Sequence, residues 1–363
     1  MSILISKGGT MRILAINPGA TSTKVAVYDD DNPVFVEVIR HDGEELLEFE
    51  HTYDQYDFRA KAIRTAIKKH EIELEELDYV VGRGGPFKPL ISGTYRVNSK
   101  MKSDVTEDRV QADHISNIGC LLADEIATPL GIPAYIVDPV SVDEFDDVAY
   151  VSGLREIPRK SLAHALNIKM VCKRFAREQN DRYSNLNLVV VHLGGGISIT
   201  AHRKGRMVDV NNANDEGPFS PQRTGTLPAT GLIKLCYSGK YTMKEMLTKV
   251  IKQGGMMSLL GSDDVLGIIE KAKSDPEYDL VLRAFVYQVA KYIGAYSAVL
   301  KGDVDAILIT GGIAYNQGMM ASLKDYIEWI APVFIYPGED EMEGLVKGIL
   351  RVVRGDEDEM EYA

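Results

Sequence analysis

Short β-branched apolar runs alternate with polar, glycine-rich breaks along most of the chain. Residues 13–28 set the pattern. Two apolar runs, 13–16 and 25–28, flank Asn17, Pro18, Gly19, Ala20 and three hydroxyl residues, which predicts strand–turn–strand. Residues 34–40 read as a third strand. Helical spacing through Ala62, Ile63, Ala66 and Ile67 predicts a helix over 58–70, followed by a buried strand over 77–81. Residues 106–127 read as one long helix with Val110, Ile115, Ile118, Leu121 and Leu122 on its apolar face. His114 and Asn117, three apart, would then share one side. Ala134–Val137 is a short apolar strand running into Asp138-Pro139, and Pro158-Arg159-Lys160-Ser161 leads into a helix through Arg177 that carries His164.

The opening pattern then returns. Residues 188–191 and 197–201 flank His192-Leu193-Gly194-Gly195-Gly196, again with hydroxyls, Ser198 and Thr200, on the second strand. Three glycines between apolar strands imply close backbone approach to a ligand or a tight bulge. One such hairpin opening each half predicts a duplicated α/β domain with a ligand held between the halves, divided near residues 150–158. Residues 211–228 form a long polar loop whose only base is Arg223. Helices are expected over 243–253 and over 280–300, where Leu282, Phe285, Val289, Ile293 and Tyr296 step as a core face. A strand over 306–310 ends in Gly311-Gly312 before a helix, the arrangement that holds a phosphate at a helix N-terminus. A strand over 333–336 and a helix over 342–353 complete the pattern, and the acidic run 356–359 reads as a frayed, solvated tail.

Composition narrows the function classes. The 363 residues suffice for two cores, with 45% hydrophobic and 26% charged residues. An excess of 53 acidic over 41 basic residues gives a net charge of −12, a field that repels nucleic acid and anionic lipid. Cys120, Cys172 and Cys236 show no metal spacing and read as reduced thiols in a cytoplasmic protein. No apolar run approaches the ~18 residues of a membrane span. The patch at residues 3–5 is too short for a signal peptide, and Met11 offers an alternative start.

Candidate chemistry therefore rests on local cations and glycines. The first hairpin tip carries Gly19, Thr21, Ser22, Thr23 and Lys24. It is not a Walker A loop, because no Gly precedes Lys24 and a strand follows where that loop needs a helix. Arg83, in Gly82-Arg83-Gly84-Gly85, reads either as a surface turn residue or as an unshielded anion binder at a strand end. Asp138 follows a buried strand and precedes a proline, placing it for chemistry or for capping. Arg223 is a second anion-binding candidate.

With these pieces placed, the chain resembles the acetate and butyrate kinase family, within the superfamily of sugar kinases and actin-like ATPases. The resemblance runs from residue 11 to about 353 and is carried by Asn17-Pro-Gly-Ala-Thr-Ser-Thr-Lys24, His192-Leu-Gly-Gly-Gly196, Pro221-Gln-Arg223-Thr-Gly225 and Thr310-Gly-Gly-Ile-Ala-Tyr-Asn316. Its details are similar to the butyrate kinase branch. Acetate kinases have His-Gly-Gly where this chain has Arg83-Gly-Gly, an Asn where Gly195 stands, and an Arg where Val80 stands. Residues 254–268 resemble the adenosine-side loop, without the Arg usual beside Asp264. The implied fold is α/β: two duplicated actin-like (ribonuclease H-like) domains with mixed sheets and a nucleotide cleft between them. The first spans 11–155, completed by 342–363; the second, nucleotide-binding, spans 156–341.

The implied reaction is reversible phosphoryl transfer from ATP to butyrate or a similar short carboxylate, giving an acyl phosphate and ADP. Acetate or propionate is the alternative substrate. A non-catalytic actin-like nucleotide sensor is the alternative of a different class. The resemblance assigns catalytic roles to Arg83, Asp138, His164 and Arg223. It assigns nucleotide and phosphate contacts to Ser22, Lys24, His192, Gly194, Gly195, Gly196, Asp264, Gly311, Gly312 and Asn316, and the substrate side to His114 and Asn117. Mg2+ would be reached by Asn17 and by Asp340 or Glu341. Family members are at least dimers, so a homodimer or higher homo-oligomer is expected, with neither nucleic-acid nor membrane partners.

Overall fold

A computed structural model describes residues 9–363; the apolar patch at 3–5 lies outside the described residues. The chain divides into two compact units, one formed by residues up to Asp143 with Asp340–Ala363, the other by Glu144–Glu339.

The first unit is built on a seven-stranded sheet. Its strands are β1 (Arg12–Pro18), β2 (Ser22–Asp29), β3 (Asn32–Arg40), β4 (Tyr79–Arg83), β5 (Thr94–Arg96), β6 (Ala134–Val137) and, from the chain end, β12 (Glu359–Glu361), in the order β12-β5-β6-β4-β1-β2-β3. β1, β2 and β3 form an antiparallel meander, and β4 and β6 add in parallel beside β1. Ile13 to Ile16 are wholly enclosed because helices cover the sheet on both sides, which is why the strands read as continuous apolar runs. Leu14, Ile16, Val80 and Ile136 share a core with Ile63 of the helix Tyr56–Lys69 and Leu122 of the helix Gly119–Leu130. The alternate positions, Val137 among them, face the helix Glu341–Arg354. There Gly348 permits close approach, since a Cβ would sit 2.4 Å from Val137 Cγ2.

The second unit repeats this plan. β7 (Asn187–Leu193), β8 (Ile197–Arg203) and β9 (Arg206–Val210) form the meander, and β10 (Ala306–Gly311) and β11 (Val333–Pro337) add in parallel, in the order β11-β10-β7-β8-β9. Val189, Val191, Ile307 and Ile309 pack on the helices Pro276–Val299 and Gln317–Ile327. Leu188, Val190 and Leu308 pack on the helix Ala165–Glu178.

Three expectations are corrected. Residues 106–127 are not one helix. The helix Ser99–Thr106 stops, Asp108 turns left-handed at φ 53°, a 3-10 turn spans Ile115–Ile118, and a new helix begins at Gly119. Its start is pressed on β4, where a Cβ on Gly82 would lie 2.0 Å from Gly119 O, a packing constraint no helical period reveals. His164 precedes its helix at the N-cap position rather than riding on it. The acidic tail is ordered: β12 pairs with β5, and Tyr362, 1% exposed, donates its hydroxyl to Asp104 at 3.1 Å.

Candidate active site

In the first unit the hairpin tip closes by Gly19 N–H donating to Ser22 O at 2.7 Å, with Asn17 and Lys24 directly opposed across β1 and β2. Buried Asn17 donates its side-chain amide to Glu341 Oε2 at 2.6 Å, and Glu341 Oε1 takes an ion pair from Arg83. Sheet geometry brings these residues together, because β1 and β4 end side by side beneath the start of the last helix. Arg83 uses one Nη on Glu341, leaving further donors of its fork. Lys24 is half-buried and has no acidic partner among the described residues.

Asp138 is buried and strained into φ 38°. Its Oδ1 accepts from Ser92 Oγ at 2.6 Å and from Gly93 N at 2.9 Å, so this oxygen secures the turn before β5. His114 is exposed, with Nδ1 2.6 Å from Ser116 Oγ. Asn117 is buried against Gly85, its amide donating to Ala112 O at 2.9 Å and its Oδ1 lacking a partner among the described residues. The broken helix thus separates the roles of two residues expected on one face. Asp340 is exposed at the N-cap of the last helix.

One residue of this region escaped the sequence reading. Arg59, fully buried, donates to Ser22 O at 2.9 Å, to Thr23 Oγ1 at 2.9 Å, to Ala20 O at 3.2 Å and to Gln55 Oε1. A signal existed, since Arg59, Ile63, Ala66 and Ile67 share one helical face. Burial lowers the Arg59 pKa to about 10. His41 Nε2 lies 2.8 Å from Thr23 Oγ1, and burial, then the Arg59 charge, pull its pKa down to about 4.

In the second unit the tip is held by close packing. His192 is wholly buried, with Nδ1 3.0 Å from Asn167 Oδ1. Its Nε2 stands 3.2 Å from Glu339 Oε1, an ion-pair distance without hydrogen-bond alignment. The His164 ring stacks on it at 4.0 Å between centroids, and His164 Nδ1 lies 2.9 Å from Ser198 Oγ. A Cβ on Gly196 would lie 2.5 Å from Arg223 Nη1 and 3.3 Å from His164 Cε1, so guanidinium, imidazole and hairpin backbone converge at this glycine. Ser220 ties the long loop to the tip by donating to Gly195 O at 2.6 Å and accepting from Arg223 N. The Arg223 guanidinium is half-buried with no acceptor among the described residues, and desolvation lowers its pKa.

Gly311, at φ 97°, is pressed on the Leu193 backbone, where a Cβ would meet the carbonyl oxygen at 2.3 Å. The end of β10 therefore lies against the glycine hairpin, and Gly312 follows in the turn Gly312–Tyr315. Asn316 caps the helix Gln317–Ile327 by accepting from Met319 N at 2.9 Å. Asp264 is the exposed N-cap of the helix Val265–Ala272. These two are helix-end residues rather than members of the Gly196 cluster.

The donor set fits a hard cation. Among the described residues no group of three or more His, Cys, Asp or Glu could hold an ion. Mg2+ needs only one or two carboxylates beside water and substrate phosphates. Glu341 with Asn17 offers such oxygens in the first unit, and an ion on Glu341 would share that carboxylate with Arg83.

Comparison with known proteins bears on the whole chain. The model of the acetokinase family matches residues 155–327. The chain is 49% identical over 353 residues to butyrate kinase 1 of Clostridium acetobutylicum, covering 97% of this chain and 99% of that one. It is 49% identical over 348 residues to a probable butyrate kinase of Clostridium botulinum, covering 95% and 98%. The fold is similar to that of the Porphyromonas gingivalis acetate kinase, with TM-score 0.76 at 18% identity over 94% of this chain and 100% of that one. With near-complete coverage at this identity, the chain belongs to the acetokinase family.

Proposed function

We propose that the chain catalyses reversible transfer of the terminal phosphoryl group of ATP to butyrate or a similar short carboxylate, yielding an acyl phosphate and ADP. The observation that carries the reading is the Arg223 guanidinium, desolvated, without an acid partner among the described residues, and lying against Gly196 beside His164. A desolvated cation left uncompensated in this way is a receptor for an anion.

Two anions must be brought into line, and charge stabilisation supplies most of the catalysis. A carboxylate is already ionised at neutral pH, so no general base is required. Arg223 supplies forked donors to the transferring phosphoryl oxygens. Ser198 Oγ accepts from the His164 backbone N–H at 3.4 Å and is free to donate to Nδ1. With Nδ1 as the acceptor, His164 carries its N–H on Nε2, a donor of the kind that suits a phosphoryl oxygen. Lys24 and Ser22 serve phosphate in the first unit, and Arg83, steadied by Glu341, serves the carboxylate. His114 and Asn117 belong to that substrate side, and Asp138 fixes the strand end beside Arg83. Gly194 to Gly196, with Gly311 and Gly312, allow backbone to approach the nucleotide phosphates; the wholly buried His192 supports that tip from beneath. Asp264 and Asn316 lie on the nucleotide side. Asn17 and Glu341, with Asp340 adjacent, would hold Mg2+, which would neutralise charge on the polyphosphate.

We further infer a cytoplasmic enzyme that forms a homodimer or larger homo-oligomer; among the described residues no helix is long and apolar enough to cross a membrane. An acyl hydroxamate assay across chain lengths tests the reaction. Turnover is expected to peak at four or five carbons, with neighbouring acids used less well, since one methylene discriminates by only about 1–3 kcal/mol. No product with any acid contradicts the reading, and a maximum at acetate or propionate moves the substrate assignment.

A further inference from the structure

We propose that Arg59 is a positioning residue for phosphoryl transfer, holding the first hairpin tip in its phosphate-receiving shape from beneath and adding an uncompensated positive charge under it. The inference rests on the reading of the chain as a carboxylate kinase.

A fully buried guanidinium ordinarily faces a carboxylate, because an unpaired charge in a protein interior is costly. Arg59 faces none. Its acceptors are Ala20 O, Ser22 O, Thr23 Oγ1 and Gln55 Oε1, all neutral. The fork spans the turn, taking the carbonyls on both sides of Thr21. In a trans peptide the C=O and N–H point in opposite directions, so drawing Ala20 O inward turns the Thr21 N–H toward the exposed tip. The same guanidinium donates to Thr23 Oγ1 at 2.9 Å, and that hydroxyl in turn lies 2.8 Å from His41 Nε2. His41 is neutral at physiological pH and acts as the acceptor in this chain, so no second charge is added. The tip is therefore locked by one cation whose charge has no counterion among the described residues. An arriving phosphate, also contacted by Lys24 and Ser22, supplies it. A point charge on a flexible stem cannot bracket two carbonyls, so lysine replaces the field but not the geometry.

The test compares Arg59→Met and Arg59→Lys with Ile63→Ala, a buried neighbour on the same helix face. Two readouts are taken: steady-state acyl hydroxamate formation below every variant's Tm, and the rise in Tm on adding Mg·ADP. Arg59→Met is expected to lower kcat about tenfold to a hundredfold, the scale of a misplaced reacting group, and to shrink the nucleotide-induced rise. Arg59→Lys falls between Arg59→Met and the wild type. Ile63→Ala lowers Tm but keeps kcat and the nucleotide response. An Arg59→Met enzyme that loses Tm as Ile63→Ala does, yet keeps kcat and the Mg·ADP response, overturns the proposal. Should Arg59→Met not fold, wild-type kcat in Arg59→Lys overturns it instead. A wild-type protein that makes no acyl hydroxamate defeats the reading of the reaction, and this is seen before any variant is compared.

Discussion

The two hairpins share one topology and are held by opposite means. At the first, between β1 and β2, the tip keeps side chains: Ser22 and Lys24 stand at its rim, and the turn is gripped from below by the long reach of Arg59. At the second, between β7 and β8, the tip has surrendered side chains to three glycines, and the support is packed flat against it: His192 under His164, the β10 end against Leu193, and Arg223 against Gly196. A strand pair that ends in side chains can meet a ligand with mobile charge. One that ends in glycine meets it with fixed backbone and lets neighbouring elements deliver the charge. Duplication of a sheet thus supplied two supports of like shape, and the residues at each tip set what it does.

Breaking the delivered charge should have the largest effect. Arg223→Ala is expected to lower kcat by about 10³-fold or more, the scale of an arginine acting on a transferring phosphoryl group, while calorimetry still finds nucleotide binding. Equal loss of both would mean that Arg223 only holds the loop. Crowding the second tip should come next. Gly196→Ala places a Cβ 2.5 Å from Arg223 Nη1, so kcat is expected to fall about tenfold to a hundredfold with unchanged thermal stability. The same change at Gly195, where a Cβ meets no protein atom within 4 Å, should leave thermal stability unchanged and act on the approaching nucleotide alone, raising the KM for ATP. The smallest effect concerns the first tip and pH. His41 is held neutral in the fold, with its pKa lowered from 6.5 to about 4. The unfolded chain therefore binds a proton first as pH falls. Stability from this site is full above pH 6.5 and is lost as pH drops through 6.5 toward 4. Urea unfolding at pH 7 and pH 5 should show a shallower pH dependence for His41→Gln than for the wild type; equal slopes would remove His41 from that account.

How legible this was depended on whether a contact was local. Residues 13–28 predict a hairpin because two short apolar runs flank the polar turn at Asn17–Thr23, and the echo at 188–201 predicts the second; the strands extend each by a residue or two. The break at 107–118 was hidden, because Ile115, Ile118, Leu121 and Leu122 fit a helical face equally well. The contact that ends the reading is the nonlocal one of Gly119 on Gly82. At the chain end, four acids drew attention from Met360 and Tyr362, whose two-residue spacing is that of a strand packing one face. Arg59 is hard to read for the related reason that an arginine in an amphipathic helix is ordinarily solvated, although its phase places it with Ile63. The Arg83–Glu341 pair joins residues far apart in sequence and could be foreseen only as separate candidates.

Phosphorus NMR of the protein with Mg2+, ADP and butyryl phosphate tests the central claim most directly. The account predicts that the acyl phosphate resonance declines as the γ-phosphate of ATP grows in step with it, with inorganic phosphate lagging behind. Loss of acyl phosphate to inorganic phosphate alone, with ADP unchanged, would contradict it.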